Sequence, residues 1–195
     1  MSYERGGVDT NEMTNGFHPD KNGRMSMSEL DDELARVHPE AFAWALAVSG
    51  WDRQEAEDVL QTVYLEILDG RARFAGASSF RTWLFAVIRR TASRRRLSRL
   101  VSDNRLVRWL QARPVSSPAD STERPVLLGE SSRVLTEALG RLSTRQRRVL
   151  ELVFFLDLTV EEAAEVMRMP VGTARAHYAR GKKRLRLLLE EEDRT

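Results

Sequence analysis

TVEEAAEVMRMPVGTARAHYARGKKRLR, residues 159–186, is the stretch that decides the fold of the C-terminal half. Thr159 followed by Glu162 has the spacing of a helix N-cap and its reciprocal partner, which predicts a short helix that ends near Met167. Only two residues separate that end from Pro170, whose fixed φ suits the start of a second helix. A short helix, a tight turn and a basic helix predict a helix-turn-helix.

Helical spacing divides the second helix of this motif into two faces. The packing face is predicted to hold Val171, Ala174, Tyr178, Gly181 and Leu185. The opposite face alternates small residues with cations: Gly172, Arg175, Ala176, Ala179, Arg180 and Lys183. Small residues let a helix lie deep in a DNA groove while arginine reaches base edges or phosphates. A solvated basic face is the alternative, but such a face usually carries glutamate, and acidic residues begin here only at Glu190. His177 lies between the faces and is predicted to flank the contact.

A second amphipathic pattern lies in the N-terminal half. Asp52 and Glu55 have the spacing of a capping box at the start of RQEAEDVLQTVYLEIL, residues 53–68. The apolar stripe of this helix leaves five side chains pointing outward: Glu57, Asp58, Gln61, Thr62 and Leu65. Asp58, Gln61 and Leu65 are three and four residues apart and share one face, which fits either an ordinary solvated surface or a protein-docking surface.

The next helix lies in SSFRTWLFAVIRRTASRRRLSRL, residues 78–100, and has an apolar and a cationic side. The core side is predicted to hold Phe80, Leu84, Val87, Ile88 and Thr91. The outward side is predicted to hold Thr82, Arg89, Ser93 and Arg96, with Arg90 beside them. Since the helix later becomes cationic all round, it is predicted either to have left the core or to lie against a polyanion. The preceding loop adds Arg71, Arg73 and Phe74, which are of the kind that hold unpaired bases.

The distribution of charge and of turn-forming residues along the 195 residues indicates how the chain is divided into domains. The net charge is only +2, but an acidic block at 29–69 is followed by basic blocks at 81–113 and 170–189, which indicates a polyanion and a further partner. We predict an all-α protein of two small helical domains joined by a flexible linker. The predicted divisions are a disordered tail (1–27), a first domain (28–112) whose first helix starts at Pro39, a proline-containing linker (113–131) and the helix-turn-helix domain (132–192).

Several classes of chemistry are not expected from this composition. The chain has no cysteine, and its three histidines have no ligand spacing, so we predict no metal and no cofactor. We find no pair of carboxylates or nucleophile and base arranged for catalysis, so no catalytic residue is predicted. Without a signal peptide or an apolar stretch of spanning length, we expect a cytoplasmic protein with no membrane insertion.

Two motifs carry a family resemblance. EAEDVLQTVYLEI (55–67) followed by FAGASSFRTWLFAVIRR (74–90) resembles the second conserved region of bacterial RNA polymerase sigma factors. LSTRQRRVLELVFFLDLTVEEAAEVMRMPVGTARAHYARGKKRLR (142–186) resembles their fourth region. With only a linker between the two regions, the chain resembles the extracytoplasmic-function (ECF) subfamily.

The resemblance implies a role for each candidate residue. Asp58 and Gln61, with Glu57 and Leu65 on the same face, would bind the clamp helices of the polymerase. The loop 70–79, with Arg71, Arg73 and Phe74, would capture a flipped base of the minus-ten element. The side chains of the following helix that would face that element are Arg81, Thr82, Arg89, Arg90 and Ser93. The side chains that would read the minus-thirty-five element are Gly172, Thr173, Arg175, Ala176, Ala179, Arg180 and Lys183.

The implied function is that of a sigma factor, which recruits core polymerase to promoter DNA and helps to open it. The implied partners are core RNA polymerase, promoter DNA and a cognate anti-sigma factor, which is common in the subfamily. Pro170, Ala176 and His177 depart from the usual pattern of the family, so the promoter sequence stays open. The alternatives are a polymerase-independent helix-turn-helix regulator and, from another class, a nuclease, which would need clustered metal ligands.

Overall fold

The computed structural model describes residues 25–102 and 130–192. These residues form seven helices and, within these two ranges, no strand. The helices are α1 (Met27–Val48), α2 (Arg53–Leu68), α3 (Phe80–Ser102), α4 (Glu130–Gly140), α5 (Thr144–Phe154), α6 (Val160–Met167) and α7 (Val171–Glu192). The predicted all-α class with a C-terminal helix-turn-helix is confirmed.

The first helix starts well before the predicted position. Ser26 caps α1, since its Oγ accepts a hydrogen bond from the backbone N–H of Glu29 (3.2 Å) and the Glu29 carboxylate accepts one from the Ser26 N–H (2.8 Å). Pro39 lies inside α1 rather than at its start. Leu34 and Val37, which precede Pro39, are buried in the core, and their packing favours a continuous helix despite the hydrogen bond that proline cannot donate.

The acidic pair at the start of α2 forms only half of the predicted capping box. The Asp52 side chain accepts a hydrogen bond from the Glu55 N–H (2.9 Å), as expected of an N-cap. The Glu55 carboxylate is buried and binds instead the guanidinium groups of Arg95 (3.1 Å) and Arg99 on α3. The Glu55 carboxylate therefore forms ion pairs with α3 instead of the hydrogen bond to the Asp52 N–H that a complete capping box requires.

The helix-turn-helix has the caps that its sequence predicts. The Thr159 and Glu162 side chains close a capping box on α6, with the Glu162 N–H donating to Thr159 Oγ1 (3.1 Å). Arg168 ends α6 in the left-handed conformation (φ 50°), and α7 begins directly after Pro170. The preceding helix α4 begins at Glu130, inside the predicted linker, and the linker up to residue 129 lies outside the described residues, as do residues 1–24 of the predicted tail.

The apolar residues of the two domains form one continuous core. Trp44, Leu84, Phe85 and Ile88 of the first domain are fully buried, and Val149, Leu152, Leu156 and Val166 belong to the same cluster although they come from α5, α6 and the loop between them. A smaller cluster, internal to the second domain, holds Ala138, Leu139, Leu142, Leu150 and Leu188. Helix α3 packs directly against α6. The linker pattern gave no indication of this contact between the domains.

None of the helices in the described ranges is long and apolar enough to cross a membrane.

Candidate functional site

The face of α2 that was predicted to dock a protein borders a groove between α1 and α2. Gln61 and Leu65 are exposed along it, and Leu65 has an exposed fraction of 49%. Phe42 of α1 and Leu68 of α2 make the groove largely apolar, and neither was predicted as a site residue. Phe42 lies within the helix that was predicted to start at Pro39, but no face was assigned to that helix. The arrangement suits a partner that presents apolar side chains.

The groove also holds a histidine–tyrosine pair. Tyr64 Oη lies 2.9 Å from His38 Nδ1, and the two rings are tilted with centroids 6.0 Å apart. Burial raises the pKa of Tyr64 to about 12, so its phenol stays neutral at physiological pH. The polar wall of the groove is therefore uncharged at this position.

The other two predicted docking residues are engaged within the chain. Asp58 accepts a hydrogen bond from Arg95 Nη2 at 2.7 Å, and its side chain is only half-exposed. Glu57 pairs with Arg53 at 2.9 Å. Gln61 and Leu65 are thus the members of the predicted set with the most direct access to a partner.

The arginine run after Ile88 is partly neutralised by α2. Arg94 binds the Glu66 carboxylate, and Arg90 lies 3.8 Å from the same group. Arg95 bridges Glu55 and Asp58 and is itself largely covered. These pairs hold α3 against α2, so part of the run forms ion pairs within the first domain.

The loop before α3 is shaped by two glycines and an aromatic contact. Gly70 and Gly76 have φ values of +68° and +72°, which favour glycine. Arg73 Nε donates a hydrogen bond to the Gly70 carbonyl (2.8 Å). Phe74 is half-buried, edge-on to Phe80 at 5.6 Å between ring centroids.

Phe74 also forms the wall of a second groove. Its ring lies 5.5 Å from that of Trp83, and both border a depression that the start of α1 completes with Met25, Met27 and Leu30. The exposed Arg71 pairs with Asp69 at 2.5 Å beside this depression. The predicted loop residues thus surround an apolar recess with cations at its edge.

The side of α3 that was predicted to face promoter DNA is only partly exposed. Thr82 was expected on the outward side but is fully buried, because α6 covers it and Thr82 Oγ1 donates to Glu162 Oε1 (3.3 Å). Ser79, just before the helix, donates its hydroxyl to Thr82 Oγ1 (2.8 Å) and accepts the Thr82 N–H (3.1 Å). Ser93 and Arg90 are exposed as predicted.

Two arginines of α3 lie at the same contact. Arg81 pairs with Glu40 at 3.0 Å and donates to the Leu156 carbonyl. Arg89 is half-buried, and burial followed by the nearby charge of Arg168 lowers its pKa from the ordinary value. The Arg81 guanidinium is therefore bound by the second domain, whereas Arg89 lies near its arginines and is repelled by them.

The candidate reading face of α7 has the exposure that its sequence predicts. Gly172, Arg175, Ala179, Arg180 and Lys183 are exposed, and Thr173 and Ala176 are partly covered. On the opposite side Ala174 is buried and Gly181 allows close packing, since a Cβ there would lie 3.1 Å from Leu150 Cδ1. Val171 was expected on the packing face but is exposed.

The charged groups on α7 have local partners that DNA could replace. Arg175 Nη2 lies 2.6 Å from Glu161 Oε1, and this hydrogen bond lowers the pKa of the Glu161 carboxyl. Exposed ion pairs of this kind contribute little to stability, so Arg175 can exchange partners at small cost. Burial, followed by the charge of Arg180, lowers the pKa of His177, so the imidazole is neutral at pH 7.

The contact between the domains is the part of the site that sequence reasoning missed. Arg148 and Glu151 form a buried ion pair at 2.6 Å, and the Arg148 guanidinium lies over the Trp44 ring, 6.0 Å from its centroid. The spacing of Thr159 and Glu162 revealed only the local capping role of Glu162. Its contact with Thr82 spans 80 residues of sequence and has no local signal.

Comparison with known proteins identifies the two domains. Residues 34–100 match the family model described as Sigma-70 region 2, and residues 132–185 match Sigma-70, region 4. The chain is 30% identical over 169 residues to the probable RNA polymerase sigma-C factor of Mycobacterium bovis, which covers 80% of this chain and 85% of that protein. It is 28% identical to the ECF RNA polymerase sigma factor SigX of Bacillus subtilis, over 71% of this chain and 73% of SigX.

Solved structures show the same fold. The sigma factor RpoE of Bartonella quintana, solved with the anti-sigma factor NepR, superposes with a TM-score of 0.61 at 24% identity, over 84% of this chain and 98% of RpoE. CnrH, solved with the cytosolic domain of CnrY, gives a TM-score of 0.55 at 23% identity, over 85% of this chain and 90% of CnrH.

The two matched regions, one of them a helix-turn-helix with an exposed cationic face, place the chain among the proteins that recognise promoters. The chain belongs to the ECF subfamily of the sigma-70 family of RNA polymerase sigma factors. It binds core RNA polymerase and directs it to promoter DNA. The alternative of a regulator that acts without polymerase is not favoured.

Proposed function

We propose that the groove between α1 and α2 is the surface through which this sigma factor binds core polymerase. Its exposed apolar side chain Leu65 and the adjacent amide of Gln61 support this assignment, with Glu57 in the lining of the groove and Asp58 next to Glu57 on the same helix. An interface of this kind has an apolar centre and a polar rim. The ion pairs of Glu57 and Asp58 hold the rim in place before the partner arrives.

The first domain would bind the minus-ten element through the loop before α3 and through α3 itself. The recess beside Phe74, with Arg71 and Arg73 at its edge, has the apolar wall and the cations that an unstacked base and its phosphate require. Arg81, Thr82, Arg89, Arg90 and Ser93 would contact the adjoining strand.

The second domain would bind the minus-thirty-five element through α7. The observation that carries the assignment is the face of small residues and cations directly after the tight turn at Arg168. Five of its members are exposed (Gly172, Arg175, Ala179, Arg180 and Lys183), and Thr173 and Ala176 are partly covered. A recognition helix places such side chains in the major groove, near its N-terminal end. Arg175 lies in the first turns and is the best placed to reach a base edge.

Three further assignments complete the proposal. The protein would be a transcription initiation factor without enzymatic activity of its own, and bond formation would belong to the polymerase. It would act inside the cell, where its two partners are found. A cognate anti-sigma factor is proposed as a regulator by analogy with RpoE, which was solved with NepR.

Run-off transcription tests the function. Purified core polymerase from the encoding organism is mixed with the full chain and with promoter fragments identified by sequencing transcripts after induced expression. We expect a discrete product that requires both the chain and the fragment, because the chain supplies promoter recognition and the polymerase supplies chemistry. Tight binding of duplex DNA by the chain alone, with no promoter-dependent product, would contradict a sigma factor.

Arginine-to-alanine substitutions on α7 test the minus-thirty-five assignment. We expect Arg175→Ala and Arg180→Ala each to weaken holoenzyme binding to such a promoter by about 1–3 kcal/mol if they contact base edges. The control is Arg141→Ala, which removes the same charge from an exposed position outside α7. The measurement is the dissociation constant on the promoter and on a fragment with a scrambled minus-thirty-five element. Equal losses on both fragments would identify phosphate contacts and contradict base reading.

A further inference from the structure

Four arginines, one from the first domain and three from the second, lie close together at the edge of α3. Arg89 projects from α3 and is half-buried, and the charges that act on it are those of Arg168, Arg145 and Arg148. Within residues 25–102 and 130–192, no carboxylate forms an ion pair with Arg89, Arg145 or Arg168. These three residues are called the arginine cluster below.

The geometry of α6 against α3 explains why Arg168 lies beside Arg89. Thr82 Oγ1 lies 3.3 Å from Glu162 Oε1, near the start of both helices. Arg89 follows Thr82 by seven residues and Arg168 follows Glu162 by six, which are advances of about 10 and 9 Å along the two helix axes. Since the helices pack side by side, the two guanidinium groups reach the same end of this contact.

Helix α5 supplies the other two arginines. The guanidinium of Arg148 lies over the Trp44 ring, 6.0 Å from its centroid, and binds the Glu151 carboxylate at 2.6 Å, so its charge is neutralised. Arg145 lies three residues earlier, in the first turn of α5, and is exposed. The dipole of α5 adds positive potential at this end of the helix. Three positive charges without a carboxylate partner among the described residues therefore lie together.

Such a cluster is unfavourable unless an anion neutralises it. Like charges at short range repel each other, and salt screens a half-buried group such as Arg89 less than an exposed one. Burial, followed by the charge of Arg168, lowers the pKa of Arg89, but a guanidinium keeps its proton in proteins. Loss of a proton therefore does not relieve the repulsion, whereas a bound anion would.

We infer that the arginine cluster is a binding site for a polyphosphate anion, either inorganic or the phosphate chain of a nucleotide. Guanidinium groups bind phosphate oxygens through parallel pairs of hydrogen bonds. Each phosphate group carries about one to two negative charges near neutral pH, so a chain of two or three groups matches three arginines better than a single phosphate does.

The position of the cluster favours a small ligand. Arg89 is half-buried where the two domains meet, so a ligand that binds all three guanidinium groups must fit between the domains. Arg145 and Arg168 are exposed at the entrance and offer a path from solvent. The inference does not depend on the proposed minus-ten role of Arg89, because anion binding is measured without promoter or polymerase.

Isothermal titration calorimetry of the full chain with sodium tripolyphosphate tests the site. Phosphate and sulfate are titrated at the same ionic strength, and divalent cations are left out so that they do not complex the ligand. Arg89→Gln and Arg168→Gln each remove one charge of the cluster, from different domains. The control is Arg53→Gln, which removes the same charge from an exposed position of α2, outside the cluster.

We expect the wild type to bind tripolyphosphate at least about tenfold more tightly than phosphate or sulfate, because several guanidinium groups bind one ligand. Arg89→Gln and Arg168→Gln should each weaken this binding about fivefold or more, and Arg53→Gln less than about twofold. Tripolyphosphate should raise the thermal unfolding temperature of the wild type and of Arg53→Gln more than that of either cluster variant.

The cluster variants should be folded, since each removes a repulsive charge. Without the anion they should unfold at the temperature of the wild type or above it. Arg145→Gln, at an exposed position, decides the matter if either of the other two does not fold. ATP is titrated in the same way: binding that depends on Arg89 and Arg168 assigns the phosphate chain of a nucleotide, and binding of tripolyphosphate alone assigns an inorganic anion. Both outcomes support the site.

Equal affinity for tripolyphosphate and sulfate would overturn the inference. So would equal losses in the cluster variants and in Arg53→Gln, since they would show only a general attraction of anions to a basic chain. A fluorescent single-stranded oligonucleotide is titrated with the same proteins. If the cluster variants lose affinity for the oligonucleotide but not for tripolyphosphate, the arginines bind nucleic acid alone and the anion site is refuted.

Discussion

Leu65→Arg is expected to reduce the affinity of this sigma factor for core RNA polymerase by about 30-fold or more. Leu65 is half-exposed on the groove between α1 and α2, where an apolar centre would be desolvated by the partner. A charge in such a centre loses its hydration without a matched counter-ion, and hot-spot residues of this kind contribute about 2 kcal/mol or more to binding. Titration of labelled protein with purified core polymerase measures the effect.

The matched control for this variant is Gln54→Arg. Gln54 is exposed on the same helix and outside the groove, and the substitution adds the same single charge. Circular dichroism should show both variants folded, because neither position is part of the core. If Leu65→Arg binds polymerase as well as Gln54→Arg does, the groove is not the docking surface.

A substitution at Leu65 tests the groove more directly than a substitution at Asp58 does. Asp58 is bound to Arg95, so Asp58→Ala would release an arginine of α3 as well as remove a proposed docking group. Its combination with Gln61→Ala is still expected to weaken polymerase binding, but the double variant has two causes of any loss. Leu65 has no polar contact to release, so the loss can be assigned to the groove.

Trp44→Ala is expected to lower the free energy of unfolding by about 3–5 kcal/mol, the range for deletion of a large buried aromatic ring. Trp44 is fully buried, its Nε1 donates to the Phe85 carbonyl (3.0 Å), and its ring packs 6.4 Å from that of Phe85. The substitution leaves a cavity and removes the additional hydrogen bond that the Phe85 carbonyl of α3 accepts from the indole. The loss is a large share of the stability of an ordinary domain.

Chemical denaturation followed by circular dichroism measures this loss, with Trp51→Ala as the control. Trp51 lies in the turn before α2 with an exposed fraction of 40%, and alanine there should change stability by about 0.5 kcal/mol. Because Arg148 lies over the Trp44 ring, Trp44→Ala should also loosen the contact between the domains. A loss of less than about 1 kcal/mol would show that Trp44 is not the anchor that its burial indicates.

Local sequence patterns predicted a helix correctly where its own caps and apolar periodicity define it. α2 has the bounds that its apolar stripe predicts, and α6 and α7 lie where Thr159, Glu162 and Pro170 place them. The exposed face of α7 also follows from spacing alone, because each turn of a helix returns side chains to the same side. The prediction that α1 starts at Pro39 was wrong. The cap at Ser26 and the burial of the preceding turns stabilise the helix by more than one internal proline destabilises it.

The partners of charged residues could not be predicted in the same way. Glu55 has the spacing of a capping residue, yet it binds Arg95 and Arg99 because α3 packs beside it. Thr82 has the spacing of an outward residue, yet α6 buries it. Both outcomes depend on contacts between residues about 40 or more positions apart, for which a single sequence has no periodic signal.

The sequence by itself determined the helices, the two regions of the sigma-70 family and the cationic face of α7, because caps, apolar periodicity and family motifs are local properties of the chain. The tertiary structure decided which of the candidate side chains are available. In the folded chain Leu65 is exposed, the Asp58 carboxylate is bound to Arg95, and Thr82 is buried against Glu162. The physical reason is that burial of shared apolar surface brings distant helices together, and their polar groups must then find partners in each other.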